Sequence, residues 1–204
     1  MTSIRPARPE DALTAGFLIR ITLGGTADLF VDHESTMTAE QILAALFVRR
    51  GGRLSYQHGS ILEVDDMPAG LLISFAASEM AMLDLATGGN LLSILGLGAA
   101  GRLTRRMLPM MGVREAERGE YYISNIGVLP DFQRRGYGTR LLTYAEERAR
   151  QGGSTKCALI VNKHNEKAIR LYQRLDYRIV YSGEFKGPLA ETEGGYHRMV
   201  KELT

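Results

Sequence analysis

Tyr121-Tyr122-Ile123-Ser124-Asn125-Ile126-Gly127-Val128-Leu129-Pro130-Asp131-Phe132-Gln133-Arg134-Arg135-Gly136-Tyr137-Gly138-Thr139 decides the fold of this chain. Its first part is rich in aromatic and β-branched residues and predicts a strand over 121–128. Pro130 ends that strand, because proline has no N–H to give to a ladder. Gly136-Tyr137-Gly138 then opens a helix over 136–150, with Leu141, Leu142, Ala145 and Ala149 on its inner face. Gly152-Gly153 ends the helix. Cys157 to Val161 is the next strand, and a further helix runs over 165–175. A strand, helix and strand joined in this way put two parallel strands side by side.

Outward from this unit the pattern changes to hairpins. Ile4-Arg5-Pro6-Ala7-Arg8 predicts a first strand, and Pro9-Glu10-Asp11-Ala12 opens a helix that Gly24-Gly25 interrupts. Thr38-Ala39-Glu40-Gln41 is a capping-box sequence for a second helix, ended by Gly51-Gly52. Strands over 60–64 and 70–75 flank the turn Asp65-Asp66-Met67-Pro68. Residues 78–112 are rich in Leu, Met, Ala and Gly at helical spacing and predict two helices broken at Gly88-Gly89-Asn90. Strands over 177–182 and 196–203, joined by a loop of Gly, Pro and acids, complete the chain. The expectation is one α+β domain over 1–204, with a mixed sheet and a helical insert at about 78–112.

The 204 residues carry 25 Lys and Arg against 23 Asp and Glu, a net charge of +2. There is no basic run, so nucleic acid is not an expected partner. Cys157 is the single cysteine, which excludes an internal disulfide and points to a reducing compartment with a buried strand thiol. His33, His58, His164 and His197 lack metal-ligand spacing, so no metal is expected. Residues 1–10 lack the apolar core of a signal peptide. The apolar stretch 91–100 is shorter than the roughly 20 residues of a membrane span. A cytoplasmic protein without a membrane span is the expectation.

The chemistry lies at the glycine loop. Glycines permit sharp turns and close approach to a ligand. The first amides of a helix lack partners within it, and its dipole adds positive charge there, so the loop suits a pyrophosphate. Arg134 and Arg135 add charge beside it. A Walker loop would need Gly-Lys-Ser/Thr, but Thr139-Arg140 follows Gly138. A dinucleotide fingerprint would need a third glycine where Leu141 stands, and an acid at the end of the next strand, which reads Val161-Asn162-Lys163.

Gln133-x-x-Gly136-x-Gly138 after a strand and a proline resembles the pyrophosphate loop of the GCN5-related N-acetyltransferase (GNAT) superfamily. Asn165-Glu166-Lys167-Ala168-Ile169-Arg170-Leu171-Tyr172 resembles that family's second signature. The resemblance is close over residues 121–180, looser over 4–7 and 60–75, and does not cover the insert. It implies a GNAT fold with splayed central parallel strands, and acetyl-CoA as co-substrate. Ile126, Gly127 and Val128 would lie along the pantetheine arm, with the Val128 N–H directed at the thioester carbonyl. Gln133 belongs to the same binding loop, and Arg134, Arg135, Gly136, Tyr137, Gly138 and Thr139 would hold the pyrophosphate through their amides. Asn165 would bond the pantetheine, and Tyr172 would face the sulfur as general acid. From spacing alone, Tyr172 shares a stripe with Ala168, Ile169 and Leu175 and could be a core residue.

The implied reaction is acetyl transfer to a primary amine, on a small molecule, a peptide or a protein, by direct attack. A non-catalytic acyl-CoA sensor is the alternative. Two positions depart from the family. Tyr122 stands where many members carry an acid as base, and alternation puts it on one face with Ser124, Ile126 and Val128. The base is then a held water or an acid from elsewhere, such as Asp28, Asp32 or Glu34, which otherwise read as a solvated loop. Asp176 stands where glycine usually follows the helix, a left-handed position that aspartate tolerates. The acceptor would be bounded by residues 24–35, the insert and the loop 183–195. Leu91, Leu92, Leu95, Leu97, Met107, Met110 and Met111 of the insert suit core packing, an acceptor wall or a homodimer contact.

Overall fold

A computed structural model describes residues 1–31, 33–110 and 112–203. Among them, seven strands form one sheet: β1 (Thr2–Pro6), β2 (Gly59–Val64), β3 (Met67–Ala76), β4 (Glu120–Val128), β5 (Lys156–Asn162), β6 (Arg178–Glu184) and β7 (Gly195–Glu202). Their order is β1-β2-β3-β4-β5-β7-β6. Only β4 and β5 pair in parallel; all other neighbours are antiparallel. The helices are α1 (Ala12–Leu23), α2 (Ala39–Phe47), α3 (Met80–Met107), α4 (Tyr137–Gln151), α5 (Glu166–Arg174) and α6 (Pro188–Glu193). The α+β class and mixed, mostly antiparallel sheet are as the sequence implies.

Local chemistry explains most element ends. The Gln41 N–H donates to Thr38 Oγ1 at 3.2 Å, and the Thr38 N–H donates back to Gln41 Oε1 at 2.8 Å, so the capping box starts α2. Asp65 and Asp66, at φ 51° and 63°, form a two-residue hairpin turn whose twist matches the flanking strands. The turn is tighter than the expected four residues, and Met67 and Pro68 already belong to β3. Asp176, at φ 67°, takes the left-handed position after α5. The loop between β6 and β7 holds the short helix α6, which its mix of Gly, Pro and acids conceals.

The sheet is covered on both faces. Leu71, Ile73 and Phe75 of β3 pack with α1 and α2, while Leu72 packs with α4 on the other face. One irregularity in β4 matters for the site. Ile73 pairs with Asn125 but Ser74 pairs with Ile123, so Ser124 is an extra residue in β4. The bulge breaks the alternation. Tyr122 lies in the core beneath α1 and α2, and Asn125 and Gly127 continue that face. Ile126 and Val128 pack on the α4 side. The expectation that Tyr122, Ser124, Ile126 and Val128 share one face is therefore wrong, because a one-residue insertion reverses every later side chain. At Gly127, a Cβ would lie 2.9 Å from Thr22 Cγ2, so only glycine lets α1 approach this closely.

The insert is helical and broken once, at Gly96 (φ 76°, ψ 169°). The expected break at Gly88-Gly89-Asn90 is absent. There, Thr87 Oγ1 accepts from the Arg53 N–H at 2.9 Å, and Asn90 Nδ2 donates to the Arg50 carbonyl at 3.3 Å, holding the helix to the loop after α2. Leu91, Leu95 and Met107 pack against the core, whereas Leu97 is 81% exposed and Leu92 is also outward. Met82 and Leu85 extend this apolar outer surface. Met111 lies outside the described residues. By length and composition, Pro9–Phe30 and Ala77–Met107 could each cross a bilayer. This differs from the reading of 91–100 alone, because the helix extends far beyond that stretch. The kink at Gly96 falls within the second segment.

A half-buried ion pair ties the insert to the sheet. The Arg53 guanidinium lies 5.7 Å from the ring centroids of both Phe75 and Tyr122. It meets Glu115 at 2.6 Å and Asp84 of α3 at 3.3 Å. The Tyr122 hydroxyl donates to Glu115 Oε1 at 3.2 Å, and burial raises its pKa well above that of a free phenol. Removing Glu115 leaves Arg53 with Asp84 as an acidic partner and takes the acceptor from the Tyr122 hydroxyl. Glu115→Ala should lower stability by roughly 1–3 kcal/mol in urea unfolding; an unchanged midpoint would show that the pair contributes nothing.

Candidate active site

β4 and β5 pair only from Glu120↔Lys156 to Ile123↔Leu159. Beyond that point β4 stays on β3 as far as Gly70↔Val128, and β5 stays on β7 as far as Asn162↔Tyr196. A cleft therefore opens in the middle of the sheet, starting at the Ser124 bulge. Hydrogen-bond phase sets what lines it. The Leu129 N–H donates to the Ala69 carbonyl at 2.8 Å. In an antiparallel ladder, bonded and non-bonded pairs alternate. Gly127 and Asn125 thus bond β3, and the N–H groups of Ile126 and Val128 point to the open edge.

The glycine loop lies at the end of β4. Gln133 Nε2 donates to the Val128 carbonyl at 3.0 Å and ties the loop to the strand. Arg134 has φ 61°, and Gly136, the residue before α4, has φ 82°. This left-handed pair turns the chain so that the next amides point outward. The backbone N–H groups of residues 134–139 have no acceptor among the described residues. A Cβ at Gly136 would meet nothing within 4 Å, so that glycine serves the turn. At Gly138 a Cβ would lie 3.3 Å from Leu171, so that glycine serves the packing of α4 against α5. Arg135 stacks 5.7 Å from the Phe132 centroid, with its charge at the loop.

Asn165 precedes α5, and its Oδ1 accepts from the Ala168 N–H at 3.1 Å. It is a helix cap, with its side-chain N–H₂ free of partners among the described residues. Tyr172 is 7% exposed and its ring lies 6.1 Å from that of Tyr177. It packs in the core, and its hydroxyl has no hydrogen bond among the described residues. Burial alone pushes the phenol up to about 12.

This geometry is a splayed parallel pair with a loop of free amides at one end and a buried tyrosine on the flanking helix. The model of the Acetyltransferase (GNAT) family matches residues 74–177, about half of the chain. The chain belongs to the GNAT acetyltransferase family. An acetyltransferase of Yersinia enterocolitica is 34% identical over 68 residues, 33% of this chain and 47% of that protein. The chain spans about half the length of the curated relatives it matches. An N-acetyltransferase from Staphylococcus aureus Mu50 has the same fold, with TM-score 0.73 at 24% identity over 98% of this chain and 100% of that one. The PaiA N-acetyltransferase from Thermoplasma acidophilum, solved with coenzyme A, aligns at TM-score 0.54 and 12% identity over 100% of this chain and 99% of that one.

In this GNAT chain the face opposite α4 and α5 is polar beside the cleft. Asn125 Nδ2 donates to Thr22 Oγ1 of α1 at 2.8 Å. Asn162, the last residue of β5, donates through Nδ2 to Glu193 at the end of α6. None of these residues was singled out from the sequence, since their partners are distant in the chain. The acids that were named fare differently. Asp28 is 67% exposed and pairs with Arg20 at 3.2 Å. Glu34 pairs with Arg102 at 2.9 Å. Asp32 lies outside the described residues. Tyr122, bonded to Glu115 where β4 and β5 are still paired, lies away from the open edge. Cys157 is fully buried, with its thiol pushed up to about 12 by that burial. No group of three or more His, Cys, Asp or Glu able to hold a metal occurs among the described residues.

The cap at Asn165 gives a direct test. Asn165→Ala should cost about 1 kcal/mol in chemical denaturation, whereas Asn165→Asp should retain most of it. Equal losses would mean that the Ala168 bond is not what holds the start of α5.

Proposed function

We propose that the protein transfers the acetyl group of acetyl-CoA to a primary amine by direct attack. The observation that carries this reading is the pair of unbonded strand amides, Ile126 and Val128, facing a cleft that has free loop amides at one end. A pyrophosphate fits the amides of residues 134–139, where the α4 dipole and Arg134 and Arg135 favour negative charge. Gln133 fixes that loop to β4. Between β4 and β5, Ile126 would bond the pantetheine arm where a strand partner is missing, and the free amide of Asn165 would reach it. Acetyl-CoA would supply an acetyl thioester at the open end of β4.

There the Val128 N–H donates to the carbonyl oxygen. That oxygen gains charge as the amine attacks, and a fixed donor at this place is worth ~10²–10³ in rate. Tyr172 acts on the sulfur. Its apolar surroundings keep the phenol protonated throughout the neutral range, so it can donate to the leaving thiolate as charge develops. The incoming nitrogen arrives from the opposite face and must first lose a proton, since a free alkylammonium has a pKa of about 10.4.

The experiment is a panel of amines and peptides with acetyl-CoA, followed by thiol release. Tyr172→Phe should lower turnover by about 100-fold while acetyl-CoA affinity stays within about twofold. With the phenol at about 12, the substitution should lower the pH–rate profile without moving its limbs below pH 10. Equal turnover removes Tyr172 from the mechanism. Tight acetyl-CoA binding without thiol release from any amine would instead support a sensor module.

A further inference from the structure

The connection between β6 and β7 brings a carboxylate to the polar side of the cleft. Glu193 Oε1 accepts from the Gly25 N–H at 2.8 Å, and Glu193 Oε2 accepts from Asn162 Nδ2. The Asn162 amide also reaches the Glu193 carbonyl at 3.1 Å. Gly25 follows α1, which is fixed to β4 through Thr22 and Asn125. Asn162 ends β5. The carboxylate therefore bridges the two arms of the splay, on the face opposite α4 and α5.

Its charge is the notable feature. Glu193 is partly buried, and among the described residues no lysine, arginine or histidine pairs with it. Other acids have cations: Asp28 has Arg20, Glu34 has Arg102, and Glu184 has Lys163. Both donors to Glu193 are neutral amides. They fix the position of the carboxylate without cancelling its charge, and attraction for a cation grows as water is excluded. A Cβ at Gly25 would lie 2.2 Å from Glu193 Oε1, so a larger residue there displaces the carboxylate, while the Gly25 backbone is in an ordinary region.

We infer that Glu193 binds the acceptor as an ammonium ion and takes its proton, so that the substrate is a cationic amine. This inference rests on the acetyl-transfer reading. Glu193 accepts one proton from R–NH₃⁺, leaving R–NH₂. The nitrogen lone pair forms the C–N bond to the thioester carbon, and the C–S bond breaks with its electron pair on sulfur. Nitrogen sheds two protons overall: one ends on the thiol, and the other leaves to solvent through Glu193.

The test uses the full chain as wild type, Glu193→Gln, Glu193→Asp and Gly25→Ala, each first checked for an unchanged unfolding temperature and acetyl-CoA affinity. With the best amine of the panel, Glu193→Gln should lower kcat/KM by about 100-fold and raise KM. Glu193→Asp should recover part of the loss, and Gly25→Ala should resemble Glu193→Gln because it displaces the carboxylate. A kcat/KM for Glu193→Gln within twofold of wild type overturns the inference. Calorimetry separates it from the reading beneath it, using 1,4-diaminobutane against the neutral n-butanol in the presence of CoA. Amine binding lost in Glu193→Gln supports the ammonium site even if no thiol is ever released, an outcome that would sink acetyl transfer alone. No binding by wild type, or equal binding by both proteins, overturns the site.

Discussion

The break in pairing between β4 and β5 after Ile123 and Leu159 is the constraint on which the site depends. A buried backbone amide left without a partner costs about 1–3 kcal/mol, so a gap inside a sheet needs support. Here each strand is secured on its outer side, β4 by β3 and β5 by β7, and the gap does not unzip the sheet. The Ser124 bulge starts the divergence. The contact of α1 with Gly127 and the bond from Asn125 to Thr22 then fix the direction of β4. The result is a stable sheet with an unfilled edge at its centre, where such edges are normally avoided.

The bulge also divides the chemistry between the two faces. Ile126 and Val128 turn towards α4 and α5, the side of the free loop amides and Tyr172. Asn125 and Gly127 turn towards α1, the side of Thr22, Gly25 and Glu193. Without the extra residue, alternation would put both sets in the opposite places. Farther along β4, Arg53, Glu115 and Tyr122 anchor the still-paired end of the strand to the insert, so the cleft opens from a fixed base.

Features written in adjacent residues were legible in the sequence. The capping box at Thr38, the left-handed Asp176 and the turn into α4 depend on neighbours, and each appears as read. The bulge was not legible, because Ser124-Asn125 resembles any polar pair in a strand and the register is set by β3. The kink was misplaced because Gly88-Gly89 and Gly96 are equally permissive, and only the contacts of Thr87 and Asn90 with the loop after α2 distinguish them. Glu193 was hidden more deeply still. It lies among acids that look solvated, and its partners Gly25 and Asn162 are 168 and 31 residues away.

That separation bears on the direction of the reaction. On the proposed reading, the nitrogen must lose protons while the sulfur gains one, and a single group serving both would need opposite protonation states at once. The two faces of the splay remove the conflict. Tyr172 sits in an apolar cluster that favours its neutral, protonated form. Glu193 accepts from the Gly25 N–H and the Asn162 side-chain amide. The carbonyl carbon would lie between them, on the edge where Val128 offers its N–H. A cation on one side, an oxyanion in the plane of the strand and a thiolate on the other side would then each meet a group of the right polarity already in place, with no rearrangement needed as charge moves.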